Sequence, residues 1–477
     1  MAVQESGVGG AIPLSGAIDP TGPQTLPAGR ARGVVRKVHI WVLPFLLLLY
    51  VVSVLDRVNI GFAALTMNKD LAIGSEQFGL LSGIFFIGYL LFGVPSNIIL
   101  HKLGARLWVS VILITWGIVA TCTGLAHSAE QLYVLRFLLG IAEAGLFPGM
   151  ILYLSYWFPR RQRAQAVALF MVALPLASVL GAPVSGLILD HVRWFGIGGW
   201  RWLLILEGFP PVVLGGLALI ALPNRPENAW FLNAEEKQWL ASELAREEQA
   251  TLAESGRVSA LGTLWSGRVW YLCAIYFAMM IGLNAMNFWL PMVLRNLSSS
   301  YSNTAVGGLV MIPHACGLVA MILISRHSDR VQERRYHAAI PALIGGAALL
   351  FIAKTANPAA AIALLSLMGI GIEGFFGPFW SLPGEYLTGI GAASGIALIN
   401  SVGNLGGFAG PYLLGVVARQ NGSAQSGFVF VGVAMLAGGL LLLGLMRVRG
   451  NDAAGRSRNL PKRKVTAEGS PDRPSAN

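Results

Sequence analysis

Twelve times along this chain an apolar stretch of about 20 residues returns, the length a helix needs to cross a bilayer. The stretches fall near 40–67, 78–100, 107–127, 131–157, 164–189 and 200–222, then near 269–295, 303–325, 337–355, 358–382, 391–418 and 426–447. In lipid every backbone polar group has to be satisfied inside its own segment, so this pattern predicts an all-α membrane protein. Composition agrees. Charged residues make up 12% of the chain and hydrophobic ones 55%, where a soluble domain carries about 25% charged residues. The 58 glycines suit close packing of helices in lipid.

The formal charge of +11 does not point to nucleic acid, because the basic residues sit in short clusters between apolar runs. Arg36 and Lys37, Lys102 and Arg106, Arg160, Arg161 and Arg163, Arg326, Arg330, Arg334 and Arg335, and Arg447 with the basic tail all fall on one side. By the positive-inside rule that side is cytoplasmic and both termini lie inside, with Arg193 and Arg201 the pair that fits least well. The expectation is a multi-pass protein of the inner (plasma) membrane, read as a monomer. Cys122, Cys273 and Cys316 all lie in apolar runs without ligand spacing, so neither a disulfide framework, a metal site nor a cofactor is expected.

Composition divides the chain into a disordered cytoplasmic tail over 1–35, a six-helix bundle over 36–222, a cytoplasmic linker over 223–268, a second six-helix bundle over 269–447, and a disordered tail over 448–477. The tail lacks the apolar core of a cleaved signal peptide. Within the linker, Asn233 with Glu236 three residues on reads as a capping box, and Trp239, Leu240 and Leu244 form an apolar stripe on a charged surface helix.

The two halves repeat. A constant shift of 229 residues lays Gly140 on Gly369, Ile141 on Ile370, Gly145 on Gly374 and Phe147 on Phe376. The same shift aligns Ala168 with Ala397, Leu176 with Leu405, Gly181 with Gly410, Gly186 with Gly415, and Arg106 with Arg335. Parallel six-helix repeats place a transporter's binding site at the interface of the halves.

Ionisable residues within the apolar runs cluster. Asp56 and Arg57 interrupt the first run, and Arg136 and Glu143 share the fourth, seven residues and about 10 Å apart on one helix face. Burying such charges is costly, so they are expected to face the bundle interior and mark a substrate or proton path. A purely structural ion-pair network is the competing reading. In the functional reading Arg57 and Arg136 are permanently charged forks suited to carboxylates. Asp56 and Glu143 take up and release protons. No phosphate-binding glycine loop is present, so the driving force is expected from an ion gradient. No Ser/His/Asp set or metal cluster suggests an enzyme.

Several motifs carry a family resemblance. They are Leu-Asp-Arg-Val-Asn-Ile-Gly at 55–61, Pro-Ser-Asn at 95–97 leading to Leu-Gly-Ala-Arg at 103–106, Arg-Phe-Leu-Leu-Gly-Ile-Ala-Glu-Ala-Gly at 136–145, Phe-Pro-Gly at 147–149 and Tyr-Trp-Phe-Pro at 156–159. With the segment at 239–248, these make the whole chain resemble the major facilitator superfamily, and more narrowly its anion:cation symporter family. Its texture is most similar to permeases for tartrate, phthalate and 4-hydroxyphenylacetate. The resemblance implies a twelve-helix fold in which Asp56, Arg57, Arg136 and Glu143 form the anion and proton-coupling sites. One departure is the loop between the second and third helices, which reads His-Lys-Leu-Gly-Ala-Arg and lacks the family's usual Asp. Its counterpart at 325–330 keeps Asp329 and Arg330. Arg106, Asp329 and Arg330 are read as gating residues, a solvated topogenic loop being the alternative.

Secondary substrate-binding candidates are Tyr89, Asn284, Asn287, Trp380, Asn400 and Asn404, each with a packing role as its alternative. His314 and Glu373 are candidate second proton sites. The expected function is proton-coupled uptake of a small organic anion, a tartrate-like hydroxy dicarboxylate first. An aromatic acid is second, favoured by the apolar wall of Met171, Leu174, Pro175 and Leu176. A non-transporting substrate sensor on the same scaffold is the alternative class.

Overall fold

The structure, a computed structural model, describes residues 26–254, 265–297, 300–355, 357–386 and 389–457. Among these, eleven apolar helices are long enough to cross a membrane. The twelfth crossing is the eleventh span, built from two shorter segments, Gly389–Asn404 and Gly406–Asn421, that meet at Leu405. The first half comprises Leu43–Asp70, Ser75–Leu103, Ala105–Thr123, and three broken spans: Ala129–Glu143 with Leu146–Ser155, Arg160–Met171 with Ala173–His191, and Gly199–Gly208 with Pro210–Ala221. The second half comprises Gly267–Leu297, Asn303–Val331, Arg335–Ile352, Pro358–Tyr386, the split eleventh span and Ala424–Ser457. The sixth span breaks where Pro210 and Pro211 deprive the helix of two N–H donors.

Two expected boundaries are corrected. A helix begins at Ala28, ahead of the expected edge of the disordered tail, because Val34 and Val38 share one face and are buried. Arg30 and Lys37 fasten it to Glu235 and Glu236 of the linker helix Ala234–Glu254. At the other end the last helix runs on to Ser457, past 447. The rest of both expected tails, and the linker over 255–264, lie outside the described residues.

The linker helix starts as its sequence suggests. Asn233 Oδ1 accepts from the Glu236 N–H at 2.8 Å, and Glu236 Oε2 accepts from the Asn233 N–H at 3.0 Å. Leu240 is fully buried, with Trp239 and Leu244 partly so.

Across the molecule, the fifth span packs on the eighth, the second on the eleventh, and the first on the seventh. Shifting each first-half span by six positions converts these contacts into one another, as a parallel repeat requires. The repeat is also visible within each half. A Cβ on Gly140 would lie 2.0 Å from the Phe85 carbonyl oxygen, and one on Gly369 would lie 2.3 Å from the Pro313 carbonyl oxygen. Thus the fourth span crosses the second as the tenth crosses the eighth.

The halves are bonded to each other at the membrane face opposite the terminal helices. There Asp190 at the end of the fifth span accepts from Asn303 and Thr304 at the start of the eighth, and Arg419 pairs with Glu76. Asn68 reaches the Met292 sulfur at the same end. The contact between halves is therefore drawn tight at that face.

Candidate functional site

The four charges singled out from the sequence converge, but not as a single cluster. Close crossing of the second and fourth spans at Gly140 brings the Phe85 ring against the guanidinium of Arg136, one turn away, at 5.3 Å. Arg57 approaches the same ring at 5.1 Å and the Tyr89 ring at 5.5 Å. An aromatic floor between two cations lowers the cost of burying them next to each other.

Arg57 pairs with Oε1 of Glu143, which also accepts from the Ser53 hydroxyl at 2.5 Å. Glu143 is fully buried, and its Oε2 meets no partner among the described residues. Arg57 is partly exposed, with side-chain accessibility of 17%, so this ion pair has one open flank. Arg136 is 1% exposed. Its one protein contact by hydrogen bond is a 3.5 Å approach to the Arg57 carbonyl, its Nε is unpartnered, and no carboxylate among the described residues lies within 4 Å. A buried guanidinium held this way is short of an anion, since uncompensated charge inside a protein costs several kcal/mol.

Asp56, adjacent in sequence to Arg57, points elsewhere, as neighbours on a helix must. It accepts from Trp116 Nε1 at 2.6 Å and from Asn59 Nδ2 at 3.2 Å. It belongs to a second polar group, formed with Trp116 of the third span and Asn59 of its own.

Of the secondary candidates, Tyr89 lies at the arginines. Trp380 sets its edge on Tyr276 at 5.0 Å, and Tyr276 stacks on Phe379 at 5.3 Å, giving the second half an aromatic wall. Asn400 and Asn404 bond each other at 2.5 Å. Asn284 donates to the Met280 carbonyl of its own helix at 2.9 Å. Asn287 instead lines a narrow chamber between the halves with Val58, Ser178, Ser185 and His314. Glu373 is buried against Gly317 between the eighth and tenth spans.

The loop residues do not bridge the halves in this conformation. Arg106 and Arg330 are exposed, and Asp329 pairs within its own loop with Arg334 at 2.5 Å. In that loop Glu333 is held below the ordinary glutamate range. Partial burial works against this and is outweighed by the Tyr336 N–H and by the His337 side chain and N–H.

Sequence reasoning passed over Ser53, Asn59, Phe85, Trp116 and Glu207. Asn59 and Ser53 lie one turn from Asp56 and Arg57, a spacing that could have drawn attention to them. Glu207 is a carboxylate inside an apolar run and was legible on that ground alone. Nothing local marks Phe85 or Trp116, which matter only through the crossing of helices.

The model of the Major Facilitator Superfamily matches residues 46–411. The chain belongs to the major facilitator superfamily. It is 43% identical over 418 residues to a protein of Agrobacterium vitis named "Putative tartrate transporter", covering 87% of this chain and 91% of that one. A protein of Pseudomonas putida named "Putative metabolite transport protein NicT" is 40% identical, covering 83% and 90%. The "Quinolone resistance transporter" of Acinetobacter baumannii is 36% identical, covering 86% and 94%. Among solved structures, the xylose transporter XylE from E. coli matches with a TM-score of 0.68 at 16% identity, over 86% of this chain and 98% of that one. This superfamily member is thus a multi-pass membrane transporter of a small molecule, not an enzyme.

Proposed function

We propose that this transporter carries a small organic carboxylate into the cell together with protons, with tartrate or a similar hydroxy dicarboxylate as its substrate. The observation that carries the reading is Arg136, a buried guanidinium with no carboxylate within 4 Å among the described residues, beside an Arg57–Glu143 pair that is open on one flank. Two arginine forks in a low-dielectric site suit the two carboxylates of a short diacid. The names of the relatives from Agrobacterium vitis support that choice of substrate.

Charge balance supplies the coupling. Asp56, Glu143, Arg57 and Arg136 sum to zero when all are ionised. An arriving anion makes the site negative, and a proton on Glu143 restores neutrality while releasing Arg57 to the substrate. Substrate and proton then bind as a pair, and the halves rock about them between two access states. Basic residues cluster on the face bearing the termini, which supports placing that face in the cytoplasm of a plasma-membrane protein. Bonding between halves at the opposite face then corresponds to a carrier closed to the outside.

A second substrate reading, an aromatic acid, draws on the wall of Tyr276, Phe379 and Trp380, which offers a ring edges and faces to pack against. The test is uptake of labelled tartrate, phthalate and 4-hydroxyphenylacetate into proteoliposomes under an imposed pH gradient, with wild type and Arg136→Ala. Gradient-driven accumulation of one acid, abolished by the substitution, is the expected result. Transport of none of them, or normal transport by the variant, would overturn the carboxylate reading.

A further inference from the structure

Glu207 carries a half-buried carboxyl that the charge balance above does not use. It sits on Gly199–Gly208, just before the break in the sixth span. Its Oε1 accepts from the Ser185 hydroxyl at 2.7 Å, and its Oε2 is shielded and meets no partner among the described residues. A glutamate kept for structure alone inside a membrane is expected to pair with a cation. Glu207 does not. Among the described residues, Asp56 is the charged group whose field acts on it. Three further ionisable residues on its own helix and on the helices packed around it are engaged elsewhere. Asp70 accepts from Trp200, Asp190 binds Asn303 and Thr304, and Arg201 donates to the carbonyls of Gly124 and Ala126.

Its polar neighbours form a row. Ser185 links Glu207 to the chamber between the halves, where His314 is 2% exposed and its Nδ1 has no partner among the described residues. That chamber has space for about one water molecule, too little for a dicarboxylate. On the other side Asn59, bonded to Asp56 and with its own Oδ1 free, lies within reach of Glu207. Depth orders the row. Glu207 lies about 12 Å along its helix from the Gly199 end, and Asp56 about 21 Å from the Asp70 end, both measured from the face where the halves are bonded together.

We propose that Glu207 is a second proton-carrying carboxylate, standing between the interface chamber and Asp56 on the path a proton takes from outside. A hydronium proton arriving through the chamber binds the Glu207 carboxylate and leaves neutral water behind. It then passes to the Asp56 carboxylate, leaving Glu207 anionic and Asp56 neutral, with Asn59 holding the two carboxyls in one file. Ser185 orients Glu207 toward the chamber, and His314 offers the chamber water a ring nitrogen. The assignment rests on the symport reading, and it adds a group outside the four charges to it.

The test uses the full chain in proteoliposomes and, as probe, whichever of the three acids above wild type accumulates. Gradient-driven accumulation and gradient-free counterflow are measured for Glu207→Gln, Glu207→Asp and Ser185→Ala. Proton uptake on binding is followed with a pH indicator in weakly buffered detergent. Glu207→Gln keeps an acceptor for Ser185, so loss of accumulation and of part of the proton uptake, with counterflow continuing, is the expected result. Glu207→Asp should restore the coupling, and Ser185→Ala should slow accumulation more than counterflow. Wild-type coupling and proton uptake in Glu207→Gln would overturn the assignment while leaving the symport reading intact. Should Glu207→Gln not survive purification, unaltered accumulation by both other variants would overturn it. Wild type that exchanges the acid without responding to the pH gradient would overturn symport and the role of Glu207 together.

Discussion

The Asp190 carboxylate caps the amino end of the eighth span, its Oδ2 accepting from both the N–H and the hydroxyl of Thr304, at 2.7 and 2.8 Å. Unpaired N–H groups and the helix dipole make that end a natural seat for a carboxylate. Here the carboxylate comes from the other half, so the cap is also a latch. Next to it a Cβ on Gly186 would lie 2.4 Å from the Asn303 carbonyl oxygen, and one on Gly307 would lie 2.4 Å from that of Ala182.

Releasing the latch should open the closed face. Hydrogen bonds to a charged group contribute about 1.5–3 kcal/mol each, so Asp190→Asn is expected to shift the balance of states by about tenfold or more. A cysteine placed at Ser178, in a background freed of Cys122, Cys273 and Cys316, should then react faster with an external maleimide. Equal labelling rates would mean that closure rests on the glycine contacts and the Arg419–Glu76 pair instead.

In the proposed symport cycle, the Glu143 carboxylate competes with the substrate for Arg57. Binding of the acid is therefore expected to strengthen as pH falls in wild type and to lose that dependence in Glu143→Gln, which keeps the Ser53 bond. Arg57→Ala should weaken binding by about 1.5–3 kcal/mol. Titration calorimetry of the purified carrier at several pH values would decide it, and a pH-dependent Glu143→Gln would place the competing proton elsewhere.

Much of this was legible in the sequence, for reasons that differ by scale. Span lengths fixed the architecture because lipid allows few alternatives. The 229-residue shift brought out the repeat because equivalent glycines, such as Gly140 and Gly369, make equivalent close crossings. Arg57, Arg136 and Glu143 stood out as charges in apolar runs. What stayed hidden depends on helix rotation and on neighbours distant in sequence. Adjacent residues Asp56 and Arg57 face different groups, Phe85 lies between two arginines, and Trp116 reaches Asp56 from the third span. The helix from Ala28 was missed because only two of its apolar residues, Val34 and Val38, are fully buried among the described side chains.

The crossing at Gly140 sets the height of Arg136, so a methyl group there should be felt at the site. Because the obstacle is the Phe85 backbone carbonyl, Gly140→Ala is expected to cost about 1–3 kcal/mol and to weaken substrate binding. Gly308→Ala is the matched control, since a Cβ there meets nothing within 4 Å and a helical alanine is favourable. Thermal unfolding in detergent compares the two. Equal stability would show that the second and fourth spans can separate without cost.

The link between the first helix and the linker helix should respond to pH in a defined direction. Burial pushes Glu236 up, but the Lys37 ammonium and the Asn233 N–H outweigh it and hold the carboxyl below the ordinary glutamate range. A carboxylate with a depressed folded value stabilises the docked state above the ordinary range, and the contribution is lost as pH falls through the depressed value. Docking of Ala28–Trp41, where Trp41 also sets its edge on Trp230 at 4.6 Å, is thus expected to survive into mildly acidic solution. Lys37→Met removes the larger of the two opposing contacts and should move release upward, toward the ordinary range. Hydrogen exchange of Val34–Trp41 against pH reads the release point directly. Release at the same pH in both proteins would mean that Val34, Val38 and Trp41, and not the ion pair, hold the helix in place.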